Sequence, residues 1–408
     1  MAIASLNKRD IFIAGGGIIG LSLAIAIKQA VPFLNITIVE AGPACRKDPR
    51  ATALTAAAVR LFKQLQCWEA TAPHAQAIHK MIITDSRLAD PVRPTFLTFS
   101  KDVAPNEPFA HMVENKYLNT ALYERAKALN ICMLFEQKVV SFALQAGHID
   151  IQLDGHPPCQ AKLLIAADGA RSTVRKQAGI PCLEWSYPQK GIVATIHHER
   201  PHQGCAIEHF LPAGPFAILP LINQRSTLVW NEPPEEAEKL MHADPLLFEV
   251  ALEQRFGHHL GTFKVDDNRQ TFPLGLLLAR HFVKPRLALI GDAAHAIHPI
   301  AGQGLNLGLS DVAALAEIIV DATRLGLDIG AMNILEDYQC WRRFETTQMG
   351  ITTDLLNRLF SNDHSALRLL RDIGLGFVER QTWLKDALIK RAAGLNKGAP
   401  RLLKGQPL

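Results

Sequence analysis

A glycine-rich hexapeptide near the start of the chain, Gly15-Gly16-Gly17-Ile18-Ile19-Gly20, constrains the fold more than any other feature of the sequence. The run Asp10–Ala14 before it has the composition of a buried strand, and Leu21–Ala30 after it is a helix-forming run. A second strand then ends at Glu40, twenty residues beyond the last glycine. The order predicts a complete strand–helix–strand unit that binds a dinucleotide.

Each residue of this fingerprint has a physical reason. Gly15 allows the tight turn, Gly17 lets a pyrophosphate approach the backbone, and Gly20 lets the helix pack closely on the strand. The helix N-terminus then faces the phosphates. Glu40 can accept hydrogen bonds from ribose hydroxyls, and its charge would repel a 2′-phosphate, so the adenosine is of the FAD or NAD type. The alternative is a structural glycine turn with a surface glutamate.

A second constellation lies far downstream, at Gly291-Asp292-Ala293-Ala294-His295, Pro299 and Gly302-Gln303-Gly304-Leu305-Asn306. The strand Arg286–Ile290 leads into it, and the apolar spacing of Gln303–Asp321 predicts a helix after it. Open backbone amides at a helix start stabilise negative charge, such as that on the edge of a reduced flavin. Asp292 would bind ribityl hydroxyls. The alternative is a glycine-rich loop with an aspartate cap.

A third block, Ala167-Asp168-Gly169-Ala170-Arg171-Ser172-Thr173-Val174-Arg175, follows the predicted strand Lys162–Ala166. The three blocks, in this order and at these separations, resemble the single-component FAD-dependent aromatic hydroxylases of the para-hydroxybenzoate hydroxylase type, over essentially the whole chain. Within that superfamily the stretch 298–311 looks most like the ubiquinone-biosynthesis hydroxylases. Arg50-Ala51-Thr52-Ala53-Leu54 is similar to the Arg-x-x-Ala-Leu segment of those enzymes.

The resemblance implies a cofactor site, and it also indicates where a nicotinamide cofactor would bind. The implied FAD-binding residues are Gly15, Gly17, Ile18, Ile19, Gly20, Glu40, Arg50, Asn115, Asp168, Gly169, Gly291, Asp292, Gly302, Gly304, Leu305 and Asn306. Asn115 stands where many members of the family have Arg or Gln. Because the chain has only one dinucleotide fingerprint, NADH or NADPH must bind transiently, with Arg171 or Arg175 as phosphate contacts. These two arginines are equally consistent with solvated residues in a first helical turn.

The reaction class follows from the resemblance. NAD(P)H reduces FAD, reduced FAD and O2 give a C4a-hydroperoxide, and one oxygen is transferred to an electron-rich ring while the protein positions the ring and excludes water. The candidate catalytic residues are His295, whose imidazole is a common general acid or base, and Pro299; a structural role for His295 is the alternative. No metal is expected, since His295 and His298 have no second ligand pair.

The predicted fold is α/β, with a Rossmann-like FAD-binding domain of three-layer ββα architecture interleaved with an antiparallel-sheet substrate domain. The FAD-binding domain is discontinuous, and the substrate domain supplies short strands at Gly191–Ile196, Ala217–Leu221 and Ser226–Trp230 to roof the flavin. Leu219, Leu221, Trp230 and Phe272 are candidates to line an apolar pocket, and packing in the core is the alternative for each of them. The predicted boundaries are 1–75, 108–182 and 275–330 for the FAD-binding domain, 76–107 and 183–274 for the substrate domain, and 331–408 for a C-terminal helical region.

The net charge and the cysteine content limit which partners and which compartment the protein can have. The chain of 408 residues has a net charge of +4, too small for a protein that neutralises a nucleic-acid backbone. The seven scattered cysteines suit a reducing cytoplasm. Residues 365–408 carry nine Lys/Arg against three acids. This basic end could rest on the inner face of an anionic membrane, join a homo-oligomer or a biosynthetic complex, or simply cap the fold.

The sequence therefore predicts a flavin monooxygenase that hydroxylates a prenylated phenol in ubiquinone biosynthesis, with a small aromatic substrate and O2. Two rivals remain. A degradative hydroxylase of a small soluble phenol or benzoate would share every flavin motif but would pair a positive pocket residue with the substrate carboxylate. A non-catalytic FAD-binding scaffold of a biosynthetic complex would not oxidise NAD(P)H in response to a phenol.

Overall fold

Two large β-sheets and a small third one form the body of the protein. The computed structural model describes residues 8–44, 48–86, 88, 95–100, 102–362, 393–396 and 398–408. The strands are, in chain order, β1 (Lys8–Ala14), β2 (Ile36–Glu40), β3 (Ala51–Thr55), β4 (Ala75–Ile78), β5 (Lys80–Asp85), β6 (Thr95–Phe99), β7 (Ala110–Glu114), β8 (Cys132–Phe135), β9 (Val139–Leu144), β10 (Ile149–Leu153), β11 (Cys159–Ala166), β12 (Cys182–His198), β13 (Cys205–Leu211), β14 (Gly214–Leu221), β15 (Arg225–Glu232), β16 (Phe263–Val265), β17 (Gln270–Ala279), β18 (Val283–Lys284), β19 (Leu287–Leu289) and β20 (His295–Ala296).

Helices cover both large sheets. The α-helices are α1 (Ile18–Ala30), α2 (Ala56–Gln64), α3 (Trp68–Thr71), α4 (Asn115–Ala128), α5 (Thr173–Gln177), α6 (Pro234–His242), α7 (Pro245–Phe256), α8 (Gln303–Arg324) and α9 (Met332–Phe360). Short 3-10 turns lie at Ala72–His74, Gly291–Ala293, Ile300–Gly302 and Arg401–Lys404. The mixed α/β class predicted from the sequence is confirmed.

The first sheet has the order β18-β19-β11-β1-β2-β8, and its neighbours from β19 to β8 are parallel. Ile11, Phe12 and Ile13 of β1 are fully buried, as expected of a parallel strand covered on both faces. The strand–helix–strand unit predicted around the glycine motif is confirmed in β1, α1 and β2. The carboxyl ends of β1, β2 and β11 therefore meet at one edge, where the three sequence motifs converge.

The second sheet, called the roof below, has the order β20-β17-β12-β15-β14-β13-β5-β6. One face packs against α6 and α7, with Trp230, Phe216 and Phe248 among its fully buried side chains. Because side chains alternate along a strand, the neighbours Val229 and Asn231 of β15 face the opposite side. The three strands predicted between residues 191 and 230 are confirmed in β12, β14 and β15.

The third sheet has the order β3-β7-β4, and its strands β4 and β7 contact β14 of the roof. Strand β20, which lies within the second motif, pairs with β17 at the edge of the roof. Within the C-terminal helical region predicted at 331–408, α9 (Met332–Phe360) is helical, and residues 363–392 lie outside the described residues, which resume at 393. Among the described helices, none is both long and apolar enough to cross a bilayer. On this topology we propose the division into FAD-binding and substrate domains given above.

Candidate active site

A cavity of about 900 Å³ opens between the edge of the first sheet and the roof. The predicted site residues that line it are Gly17, Ile18, Ile19, Glu40, Arg50, Asn115, Gly169, Gly291, Asp292, Pro299, Gly302, Gly304 and Leu305. Gly15, Gly20, Asp168, His295 and Asn306 lie behind this wall. The structure thus brings three motifs that are up to about 290 residues apart in sequence around one space.

The glycine-rich loop is shaped by close packing and opens toward the cavity at one residue. Gly15 has a φ of +114°, and a Cβ there would lie 2.2 Å from the carbonyl oxygen of Ala167. A Cβ on Gly20 would lie 2.0 Å from the oxygen of Gly15. Gly17, at the N-terminus of α1, has no atom within 4 Å of its Cβ position. This open position lets a phosphate approach the backbone.

Glu40 ends β2 with its carboxylate held in place. The backbone N–H of Gly16 donates to its Oε2 at 2.7 Å, and that of Gly42 donates to its Oε1 at 2.8 Å. Each oxygen keeps acceptor capacity, because a carboxylate oxygen accepts more than one hydrogen bond. The geometry fits a carboxylate oriented for two ribose hydroxyls.

The second motif places Asp292 and the N-terminus of α8 in the cavity. Gly302, at a φ of +62°, precedes α8, and Gly304 has no atom within 4 Å of its Cβ position. Asp292 is accessible from the cavity but surrounded by protein on its other sides, so burial raises the pKa of its carboxyl, while His295 and Arg50 act in the opposite direction. A positive helix end and a carboxylate therefore face the same space.

Asn306 fastens the second motif to β3. Its Oδ1 accepts from the N–H of Thr55 at 3.0 Å, and its Nδ2 donates to the carbonyl oxygens of Ala53 at 2.8 Å and Gly302 at 3.1 Å. With its amide engaged in this way, the Asn306 side chain holds the loop in shape.

A polar cluster closes the cavity near β3. Asp48 accepts from Nε and Nη2 of Arg50, both at 2.8 Å, and from Nδ2 of Asn115 at 2.9 Å. Burial alone would raise the pKa of Asp48, but the hydrogen bonds from Arg50 and Asn115 lower it. The Arg50 guanidinium carbon lies 5.5 Å from the ring centre of Phe272 on the roof. The sequence predicted Arg50 and Asn115 as site residues but not Asp48. The position of Asp48, two residues before Arg50, could have indicated that the two form an ion pair.

His295 does not face the cavity. It is 1% exposed, and its Nε2 lies 2.5 Å from Oδ2 of Asp311, which also accepts from the N–H of Gly291 at 3.0 Å. Nε of Arg342 donates to the other oxygen of Asp311 at 2.9 Å. Burial alone would raise the pKa of Asp311, but His295 and Arg342 lower it. This network favours a positioning role for His295, and sequence reasoning missed Asp311 and Arg342 as its partners.

The third motif divides into a structural and a surface part. Oδ2 of Asp168 accepts from the N–H groups of Thr173 at 2.8 Å and Val174 at 3.3 Å, and so caps α5. Arg175 is 3% exposed and donates to the carbonyl oxygens of Ala293 and Ala170, each at 2.8 Å. Its assignment as a phosphate contact is corrected here, because the guanidinium is buried and joins this motif to the second one. Arg171 is exposed.

The residues around the cavity fit FAD. Gly17 and Gly304 lie at two helix N-termini, and no atom lies within 4 Å of the Cβ position of either residue. The carboxylates of Glu40 and Asp292 face the same space from the ends of different strands. A dinucleotide with a flavin needs this set: amides for its phosphates, an acid for its ribose and a positive helix end for the reduced ring.

Comparison with known proteins decides the family. The model of the FAD binding domain family matches residues 8–343. The chain belongs to this family. It is 40% identical to ubiquinone hydroxylase UbiL of Rhodospirillum rubrum, over 98% of this chain and 93% of that protein. It is 32% identical to the mitochondrial ubiquinone biosynthesis monooxygenase COQ6 of Mus musculus, over 94% of this chain and 90% of that protein.

The fold has relatives among solved structures. The crystal structure of p-nitrophenol 4-monooxygenase PnpA from Pseudomonas putida superposes with a TM-score of 0.79 at 18% identity, covering 96% of this chain and 99% of that one. The resemblance stated from the three motifs is thereby confirmed. The protein is an FAD-dependent monooxygenase of the aromatic hydroxylase type, and NAD(P)H is the co-substrate typical of its family.

Proposed function

We propose that this protein hydroxylates the aromatic ring of a prenylated phenol on the route to ubiquinone, using NAD(P)H and O2. The names of the relatives in Rhodospirillum rubrum and Mus musculus support this pathway. Bound FAD supplies the chemistry, which is reduction by NAD(P)H followed by transfer of one oxygen atom from O2 to the ring. The described residues bind the cofactor, orient the ring and exclude water.

The observation that carries the proposal is the composition of the cavity wall. The roof residues that face the cavity are Gly191, Val193, Ala206, Glu208, Pro215, Ala217, Leu219, Thr227, Val229, Asn231, Phe272 and Leu274. Met81 of β5 also belongs to the roof, and Ile78 and Phe109 add further apolar side chains to the wall. An apolar space of this kind suits a ring with a hydrocarbon chain.

The same wall argues against a benzoate. None of the described roof residues that line the cavity is an arginine or lysine. Of the described cations elsewhere in its lining, Arg50 is paired with Asp48 and Lys116 with Glu114 at 3.0 Å. A substrate carboxylate would need an uncommitted partner, since an unpaired buried charge is costly. The cavity therefore favours a neutral phenol.

For two of the four pocket candidates the structure shows the core-packing alternative. Trp230 packs into the core beneath α6 and α7, Leu221 is buried in another cluster, and neither lines the cavity. Leu219 and Phe272 do line it. The alternation of side chains along β15 explains Trp230, because its neighbours Val229 and Asn231 take the cavity face.

An oxidation assay on the FAD-loaded protein tests the proposal against both rivals. We expect a phenol with a short prenyl chain to stimulate NAD(P)H oxidation in air and to give a hydroxylated product. Stimulation by a soluble benzoate but not by the prenylated phenol would instead indicate a degradative hydroxylase. NAD(P)H oxidation that no phenol stimulates would indicate a scaffold without turnover.

We also propose that Arg171 contacts the phosphates of NAD(P)H, because it is the exposed arginine beside Gly169 at the mouth of the cavity.

We propose as well that the basic segment 365–392 contacts an anionic membrane. A polyprenyl substrate partitions into a bilayer, and the segment's positive charges would hold the protein near that supply.

A further inference from the structure

Asn231 is a buried amide that faces the cavity without a partner for its oxygen. The residue lies on β15, is 3% exposed and belongs to the cavity wall. Its Oδ1 is buried and accepts no hydrogen bond within the part of the chain that the structure describes. The next polar residue on the same face, Thr227, donates instead to the carbonyl oxygen of Ala194 at 3.4 Å.

The space around Asn231 is kept open by two glycines. A Cβ on Gly191, its partner across β12, would lie 3.3 Å from Oδ1 of Asn231. A Cβ on Gly214 would lie 2.8 Å from Cβ of Asn231. Any larger side chain at these positions would press on the asparagine, so the local sequence leaves room around its amide.

The place of Asn231 in the roof relates it to the flavin motifs. Asn231 pairs with Gly191, which pairs in turn with Phe272, the residue beneath the Arg50 guanidinium. Two strand spacings separate Asn231 from Phe272, or about 10 Å. The part of the roof toward β5 presents the apolar residues Leu219, Ala206 and Met81, together with the buried carboxylate of Glu208 on β13. The cavity wall therefore has a polar group at Asn231, near the flavin side, and an apolar row that ends at Met81.

A buried polar atom without a hydrogen bond costs about 1–3 kcal/mol, and Oδ1 of Asn231 bears this cost in the wall of the cavity. We propose that the Asn231 amide binds the phenolic hydroxyl of the substrate and so orients the ring. An amide offers a donor and an acceptor, and a phenolic hydroxyl is the ring substituent that offers both in return. This inference rests on the proposed function and adds the residue that determines which ring is accepted.

The test compares Asn231→Leu, a substitution of similar size, with the wild-type protein. Dissociation constants are measured on the FAD-loaded proteins, from the change in flavin absorbance, for a prenylated phenol and for its O-methyl ether. The wild-type protein should bind the phenol about tenfold more tightly than the ether, and Asn231→Leu should lose most of this difference. The kcat/KM of Asn231→Leu for the phenol should fall by a similar factor.

A second variant leaves the asparagine in place. Gly191→Ala adds a methyl group next to Oδ1 in a strand of ordinary backbone conformation, so the fold tolerates it while the hydroxyl is crowded out. It should also reduce the preference for the phenol over the ether. An unchanged preference in both variants would contradict the inference.

Stability distinguishes recognition from a structural role. Asn357 is also 3% exposed, but its Nδ2 donates to Oε1 of Gln189 at 3.1 Å and its Oδ1 accepts from Oγ of Ser361 at 2.9 Å. Asn357→Leu should therefore lower the melting temperature of the cofactor-free protein, whereas Asn231→Leu should leave it unchanged or raise it. A fall in both would make Asn231 structural and overturn the inference. Absence of phenol-stimulated turnover in the wild-type protein would be a failure of the proposed function instead.

Discussion

At the scale of single residues, Asp311 joins parts of the chain that a flavin site needs to keep together. Its carboxylate binds His295 and Gly291 of the second motif on one oxygen and Arg342 of α9 on the other, and it is fully buried. Arg342 is 1% exposed. The buried guanidinium of Arg342 and the buried carboxylate of Asp311 compensate each other only while both are present.

Replacing Asp311 with Asn should therefore destabilise the protein strongly, by about 3–5 kcal/mol, because the buried charge of Arg342 then keeps only the partly exposed Glu345 as its partner. Chemical denaturation of the cofactor-free protein measures the loss. The matched control is Glu345→Gln, which removes the other carboxylate bound to Arg342 at a partly exposed position. That change should cost no more than about 1 kcal/mol. Equal losses in the two variants would refute the role assigned to Asp311.

At the scale of elements, two helices have their N-termini at one cavity. The glycines at these helix ends are of two kinds, those packed against other atoms and those open to the cavity. Gly15 and Gly20 are enclosed by backbone atoms of the turn and of β11, whereas Gly17 and Gly304 are open. The enclosed glycines fix how α1 leaves β1. The open ones leave room for a ligand at the helix ends, where the backbone N–H groups and the helix dipole attract phosphate.

This division predicts opposite outcomes for two alanine substitutions in one hexapeptide. Gly20→Ala should destabilise the cofactor-free protein by about 1–3 kcal/mol, because its Cβ would overlap the oxygen of Gly15. Gly17→Ala should leave the melting temperature nearly unchanged but weaken FAD binding by about tenfold or more, or about 1.4 kcal/mol. Melting of the cofactor-free proteins and titration with FAD measure the two effects. FAD binding unaffected by Gly17→Ala would contradict the placement of the phosphates.

At the scale of the whole molecule, the end of the chain returns to the FAD-binding side. The N–H of Ala57 donates to the carbonyl oxygen of Ala393 at 3.2 Å, and Arg401 pairs with Glu317 and Asp321. Removing residues 380–408 would therefore damage the fold, so the basic segment before residue 393 is better examined by changing its charges.

We expect the triple change Lys385→Gln, Lys390→Gln and Arg391→Gln to reduce binding to anionic liposomes at least several-fold, since each positive charge near such a surface contributes about 1 kcal/mol. Co-sedimentation measures it, with neutral liposomes as the control for non-specific adsorption and Arg171→Gln, which removes one positive charge outside the basic end, as the control for a general loss of charge. Equal binding of the wild-type protein and the triple variant to anionic liposomes would refute membrane contact by this segment. A change in molecular mass in solution would assign the segment to an oligomer interface.

The sequence predicted those parts of the site that are local. Gly17, Glu40 and Asp292 follow strands or begin helices within short motifs, so their place could be inferred from spacing. Asp311, Arg342 and Asn231 could not be inferred, because their roles depend on pairs formed between distant segments. Arg175 was misplaced for a related reason, since the sequence does not show that Ala293 comes within reach of its guanidinium.

Turnover of the FAD-loaded protein with NAD(P)H under isotopically labelled O2 tests whether it transfers oxygen to a prenylated phenol. Mass spectrometry of the product then shows where the oxygen comes from. We expect a ring-hydroxylated prenylated phenol that carries one labelled oxygen atom. A phenol recovered unchanged while NAD(P)H is consumed, or a product whose new oxygen comes from water, would contradict it.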